Sequence, residues 1–274
     1  MPKLVRRAAS LIAFSACLLA MHASFAAELT GSEIVQHCDH ETNAGEDQKN
    51  ILTVILRDVS GNEKKNVYRR YWKRYDGKDG IADKMVLFTE FPPDAKGTGF
   101  MRWGYMPGAD KNADQWIYLP SLGTIKRVSV RDPGDSFLGS DLTYQDISPR
   151  ALDQDEHVYL REETKGNDVY YVVESTPKEK DPLYGKVISW YLQASDWQSC
   201  NKKRVEFYDS NGSLIKTETL NWQQVGKKAW MWDEVAVDNV KTGHSSVFRV
   251  TEPEVNVGLK DRLFTERTLK RGIR

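Results

Sequence analysis

The chain has 274 residues, with 39 Lys+Arg balanced by 39 Asp+Glu, 3 Cys, 40% hydrophobic and 11% aromatic residues. That is too apolar and too aromatic for a disordered chain, and three cysteines are too few for a disulfide scaffold. Formal neutrality argues against a nucleic-acid binder held by phosphate contacts, while 8 Trp and 12 Tyr favour pleated, half-buried surfaces and so a β-rich fold.

Residues 1–26 read as a secretory signal peptide. Lys3, Arg6 and Arg7 give a positive start, Ala8 to Met21 is apolar, and Ser24-Phe25-Ala26 is a small-x-small cleavage site. The apolar run is short for a membrane-spanning helix. Removing the leader leaves 36 basic against 39 acidic residues, and nothing after residue 26 is apolar enough to cross a bilayer. The mature part, 27–274, reads as one soluble exported domain. Its two cysteines, Cys38 and Cys200, face an oxidising compartment, where either a disulfide or two buried thiols would suit them.

One helix opens the mature chain, marked by the capping-box pair Thr30 and Glu33, with Ile34 and Cys38 four apart on one face. Short period-two runs then dominate. The expected strands are 50–58, 64–75, 82–91, 98–106, 114–119, 123–130, 156–164, 168–175, 185–193, 202–209, 213–222, 228–238 and 243–251. Turn chemistry separates them: Ser60-Gly61-Asn62, Asp76-Gly77, Gly166-Asn167 and, most clearly, Asn211-Gly212. A helical turn is expected near Asp141–Ile147 and another after Leu259. The absence of strand–helix–strand alternation or repeats predicts one antiparallel sheet of many strands with few helices.

Several strands are apolar on both faces. Met85, Leu87 and Phe91 oppose Val86 and Phe88; Val187 and Tyr191 oppose Ile188, Trp190 and Leu192; Met231, Val235 and Val237 oppose Trp230, Trp232 and Ala236. A sheet with one wet face would alternate more cleanly. Either the sheet curls around a hydrophobic hollow, or two sheets cover each other as a sandwich.

The segment 91–147 is the most distinctive. It carries Lys96-Gly97-Thr98-Gly99-Phe100, Gln115-Trp116-Ile117-Tyr118-Leu119-Pro120 and Gly134-Asp135-Ser136-Phe137-Leu138-Gly139-Ser140-Asp141. With the tail Asn256-Val257-Gly258-Leu259 and Leu263-Phe264-Thr265-Glu266-Arg267, it closely resembles the LolA-like outer-membrane lipoprotein-sorting family, exported bacterial proteins of about this length. The resemblance covers nearly all of 28–272. It implies a mainly β fold, an incomplete antiparallel β-barrel (LolA/LolB-like) enclosing a hydrophobic cavity with a few covering helices. It implies a periplasmic carrier that binds lipid or the acyl chains of lipoproteins for transfer towards the outer membrane. The alternative is a soluble accessory of an RND-type inner-membrane exporter with no cargo of its own. No family residue can be carried over position by position.

An acyl chain needs an apolar cavity rather than catalysis. Lining candidates beside the recognised motifs are Val86, Phe88, Met101, Trp103, Tyr105, Trp116 and Tyr118, all of which would equally serve ordinary core packing. The stripe Tyr68-Arg69-Arg70-Tyr71-Trp72-Lys73-Arg74-Tyr75 mixes bases with aromatics and suits either lipid headgroups or basic stems lying over apolar neighbours. The loop Asp132-Pro133-Gly134-Asp135-Ser136 with Ser140-Asp141 suits turn chemistry better than a cation site. His37 and His40 flank Cys38 without a second close ligand pair, so neither a metal nor another cofactor is expected. With no G-x-S-x-G, H-E-x-x-H, G-x-G-x-x-G or P-loop present, an enzyme is not expected either.

Overall fold

The structure is a computed structural model and describes residues 29–273 except 110, 112, 129–133, 149 and 227. The leader, the end of the expected strand 123–130, and Asp132-Pro133 therefore lie outside the described residues.

Thr30 caps the first helix, α1 (Gly31–Val35), as its sequence predicts. Its hydroxyl accepts from the Glu33 amide (3.2 Å), and the Glu33 carboxylate accepts from the Thr30 amide (2.8 Å). One π-helical turn, Gln36–His40, follows. Gly31 sits against the backbone at His157, where an added Cβ would lie 2.6 Å from the His157 carbonyl oxygen. Only glycine permits that approach.

The remaining elements are strands in a single antiparallel sheet. In chain order they are β1 (Asp47–Arg57), β2 (Glu63–Arg74), β3 (Ile81–Phe91), β4 (Gly99–Tyr105), β5 (Asp114–Leu119) and β6 (Thr124–Val128). The second half contains β7 (Asp155–Lys165), β8 (Asp168–Pro177), β9 (Lys186–Leu192), β10 (Lys202–Tyr208), β11 (Leu214–Val225), β12 (Ala229–Asn239) and β13 (Ser245–Val255). A short helix, α2 (Glu266–Arg271), ends the described chain.

The spatial order is β6-β5-β4-β3-β2-β1-β13-β12-β11-β10-β9-β8-β7. Two hairpin ladders are thus joined where β1 pairs with β13, Val54 lying opposite Phe248. Strands β6 and β7 are the two free edges, so the sheet curls without closing, an incomplete barrel. Hairpin connections make each next strand a neighbour in space, which is why the meander follows chain order in both halves.

Both faces of the first half are apolar because both are covered. On the concave face Leu52, Val54, Met85, Leu87, Phe100, Val235, Val237 and Phe248 form the main core. Residues 134–148, between β6 and β7, cross this face as a strap. Phe137 at its tip is buried, with ring centroids 6.2 Å from Phe100 and 6.5 Å from Phe248. On the convex face Tyr71, Val86, Phe88 and Met101 are buried under Phe264 and Leu269 of the C-terminal segment. Gly99 makes room there, since a Cβ would meet Leu269 Cδ1 at 2.7 Å. At the β7 end, α1 and the π turn pack Ile34, Val35 and Cys38 against Val173 and Tyr191. Cys38 and Cys200 are joined as a disulfide, with Cα atoms 5.0 Å apart.

Candidate functional site

The strap leaves two hollows on the concave side. The larger, about 570 Å³, is walled by Leu52, Met85, Phe248 and Val250 from the sheet and by Phe137, Leu142 and Ile147 from the strap. Four tryptophans, Trp72, Trp222, Trp230 and Trp232, complete its wall. Its volume falls within the range of ligand pockets, ~300–1,000 Å³. The aromatic cluster depends on an irregularity. Register shifts between Asn221 and Trp222 in the β11–β12 ladder, so Trp222 lies opposite Trp232, with ring centroids 6.4 Å apart. A bulge re-aims the side chains that follow it, and strict alternation fails there.

Basic residues enter this chamber from the stripe in β2. Alternation sends Tyr68, Arg70, Trp72 and Arg74 to the concave side, where Tyr68 and Trp72 pack on the main core and Arg70, Trp72 and Arg74 line the cavity. Their neighbours face outward: Arg69 pairs with Glu90 (3.0 Å) and Lys73 with Asp261 (2.7 Å). Arg102, 4% exposed, donates to Asp83 (2.9 Å) in the same wall. Arg70 Nη1 donates to the neutral Gln48 Oε1 (2.8 Å). Desolvation pulls the Arg70 guanidinium down to about 10, against the opposing pull of Asp83, and it stays charged at neutral pH.

The second hollow, about 380 Å³, mixes apolar side chains with many charged ones. It meets the first at Asp39, His40 and Pro107, which line both. Its wall holds the ion pairs of Lys202 with Asp39 (2.6 Å) and Arg150 with Asp155 (2.6 Å), and Asp146, which pairs with Lys216 behind it (2.5 Å). Glu218, 8% exposed, stands among them. Burial pushes its carboxyl up to about 7, with the Asp146 charge adding to the rise.

The seven lining residues expected from the sequence are not in either cavity wall. Val86, Phe88, Met101, Trp103, Trp116 and Tyr118 belong to the convex cluster under the C-terminal segment. Tyr105 is also outside both cavities, its hydroxyl bonded to Asp114 (2.5 Å). Trp103 and Trp116 pack edge to face at 5.1 Å, with Lys84 Nζ 3.7 Å from the Trp103 centroid. All but Tyr105 therefore pack on the convex face of the sheet. Phe264 and Leu269, more than 140 residues further along the chain than Tyr118, cover them there. Of the mixed stripe in β2, Arg70, Trp72 and Arg74 line the chamber.

The Gly134–Asp141 motif is the strap's own scaffold. Ser136 Oγ donates to the Ser140 carbonyl (2.6 Å), and Ser140 Oγ donates to that of Phe137 (2.6 Å). Asp141 accepts from Ser246 Oγ (2.5 Å) and Asn239 Nδ2 (3.2 Å), tying the strap to β13 and β12. Leu138 and Gly139 hold φ of 55° and 75°, which aims Phe137 into the core. His37 stacks on Trp197 (4.6 Å) and bonds Glu41 (2.7 Å), and no group of metal-ligating side chains occurs among the described residues.

A family model described as an uncharacterized protein matches residues 82–271. A crystal structure of a domain assigned to outer-membrane lipoprotein sorting, from Vibrio parahaemolyticus, is 29% identical. It covers 88% of this chain and 98% of that one, with a TM-score of 0.75. A DUF1329 family protein from Desulfovibrio piger is 23% identical over 87% of this chain and 97% of its own, with a TM-score of 0.75. A LolA superfamily protein from Nitrosomonas europaea is 20% identical over 88% and 99%, with a TM-score of 0.62. The last two likenesses bear on the fold. No curated protein matches the chain.

Proposed function

Because the chain belongs to the LolA-like family of outer-membrane lipoprotein-sorting proteins, we propose that it is a periplasmic carrier. It would hold a lipid, or the acyl chains of a lipoprotein, in its larger cavity for transfer towards the outer membrane. The observation that supports this reading is the chamber of about 570 Å³, walled by aliphatic side chains and four tryptophans inside an unclosed sheet. Burying a methylene is worth about 0.8 kcal/mol, so a sixteen-carbon chain gains on the order of 10 kcal/mol before ordering costs. That holds a lipid in transit yet releases it to an acceptor offering deeper burial. Such carriage needs neither a nucleophile nor a cofactor. Export by the leader would place the protein where such cargo travels.

Native mass spectrometry of the protein purified from the periplasm tests this. Co-purifying acyl species, displaced when lipid of another chain length is added, are expected. A clean apo mass unchanged by added lipid would overturn the carrier reading and favour a role in protein contact with an RND-type exporter.

A further inference from the structure

The chamber is not uniformly greasy, and its one polar quarter has a definite chemistry. Three arginines line it: Arg70, Arg74 and Arg102. Arg102 is matched by Asp83 (2.9 Å) and Arg74 faces Asp76 (3.8 Å). Of the other acid in the wall, Asp39, the carboxylate is held by Lys202 (2.6 Å) and by the Tyr191 hydroxyl (2.8 Å). Arg70 differs. Among the described residues its hydrogen-bond partner is the neutral Gln48 amide, and no carboxylate lies within ion-pair distance of it. A guanidinium presents five N–H donors in a flat fork, more than the single Gln48 bond engages, and Asp83, already paired with Arg102, acts on it only at longer range.

Leaving a charge unmatched in an apolar surround is costly, and the cost falls when an anion arrives. The guanidinium fork fits the paired oxygens of a carboxylate or phosphate. Beside it on the same strand stands Trp72, and the tryptophan wall and Leu52, Met85 and Val250 continue from there. We propose that Arg70 seats the anionic headgroup of a single-tailed amphiphile, a carboxylate or phosphate monoester whose hydrocarbon chain runs into the tryptophan-walled chamber. The proposal rests on the chamber being the ligand site and names what fills it. The ester or amide carbonyls of lipoprotein acyl chains can accept from Arg70 but cannot neutralise its charge, so a free anionic lipid is the better match.

The test uses the mature chain with its disulfide intact and three ligands sharing a twelve-carbon tail: laurate, dodecyl phosphate and dodecanol. Binding is read by displacement of a fluorescent fatty-alcohol probe. The two anions are expected to bind about tenfold or more tighter than the alcohol, the increment of a charge-assisted hydrogen bond. Laurate and dodecyl phosphate are compared with each other to separate carboxylate from phosphate recognition. Arg70→Gln should erase the preference while still binding dodecanol, and Arg70→Lys should restore part of it. Arg69→Gln, next in sequence but paired with Glu90 outside, should change nothing. Equal binding of all three ligands, or an Arg70→Gln protein that still prefers the anions, would overturn the subsite while leaving the carrier reading standing. Failure of all three to displace the probe would overturn both. Retention of dodecanol binding by Arg70→Gln shows that the variant is folded.

Discussion

Glu218→Gln should stabilise the protein above neutral pH and do almost nothing below pH 4. Glu218 stands on β11, opposite Val205 on one side and Val237 on the other, and is 8% exposed. Lys216 is already committed to Asp146, and Lys202 to Asp39. Desolvation raises the Glu218 carboxyl from 4.5 to about 7, so the folded state prefers it protonated. A raised carboxyl contributes stability that is fully present below the unfolded value and is lost as pH rises through the folded one. Between pH 4.5 and 7 the protein therefore loses stability from this group, up to about 3 kcal/mol at 1.36 kcal/mol per pH unit. Glutamine keeps the shape and cannot ionise. Urea unfolding of wild type and variant at pH 4, 6 and 8.5 should show curves that coincide at pH 4 and separate at pH 8.5. In thermal terms the separation is on the order of 5–10 °C for a domain of this size. A difference independent of pH, or a variant less stable than wild type at pH 8.5, would refute the reasoning. It would mean that the two lysines neutralise Glu218 as well as water does.

Trp72→Ala should weaken lipid binding without unfolding the protein, because Trp72 lines the chamber and is partly buried. Trp116→Ala, on the other face, should leave lipid affinity within error in the same titration while lowering stability. Leu269→Ala removes a side chain that is 1% exposed and seated over Gly99, and should cost about 2–5 kcal/mol in denaturant unfolding. Replacing Cys38 and Cys200 together by Ser opens a loop spanning 162 residues and should cost about 2–5 kcal/mol, matched by wild type unfolded under reducing conditions.

Much of the fold was legible in local chemistry. The capping box at Thr30 and Glu33, the hairpin at Asn211-Gly212 and the two-residue period of the strands depend on neighbours a few positions away, and the structure places them as read. The expected turn after Leu259 is met by α2, while the helical turn expected near Asp141–Ile147 is instead a non-helical hydrogen-bonded turn of the strap, because side-chain contacts such as Thr143 with Asp146 hold it open. The doubled apolar faces of β3 told that both sides would be covered, and they are.

What the chain alone could not decide was which cover belonged to which face. Met85 and Val86 are equally apolar, and alternation says only that they point apart. The direction of the sheet's curl and the docking of Phe264 and Leu269 decide that Met85 looks into the chamber and Val86 does not. The bulge at Asn221/Trp222 brings Trp232 into the chamber wall, which no period-two pattern could foretell. Sequence thus determined the strands, their turns and the likeness to a sorting family, because those rest on short-range physics and composition. Inside and outside, and with them the seat of Arg70 in a greasy chamber, were decided by contacts between residues far apart in the chain, where burial is allotted among competing apolar faces.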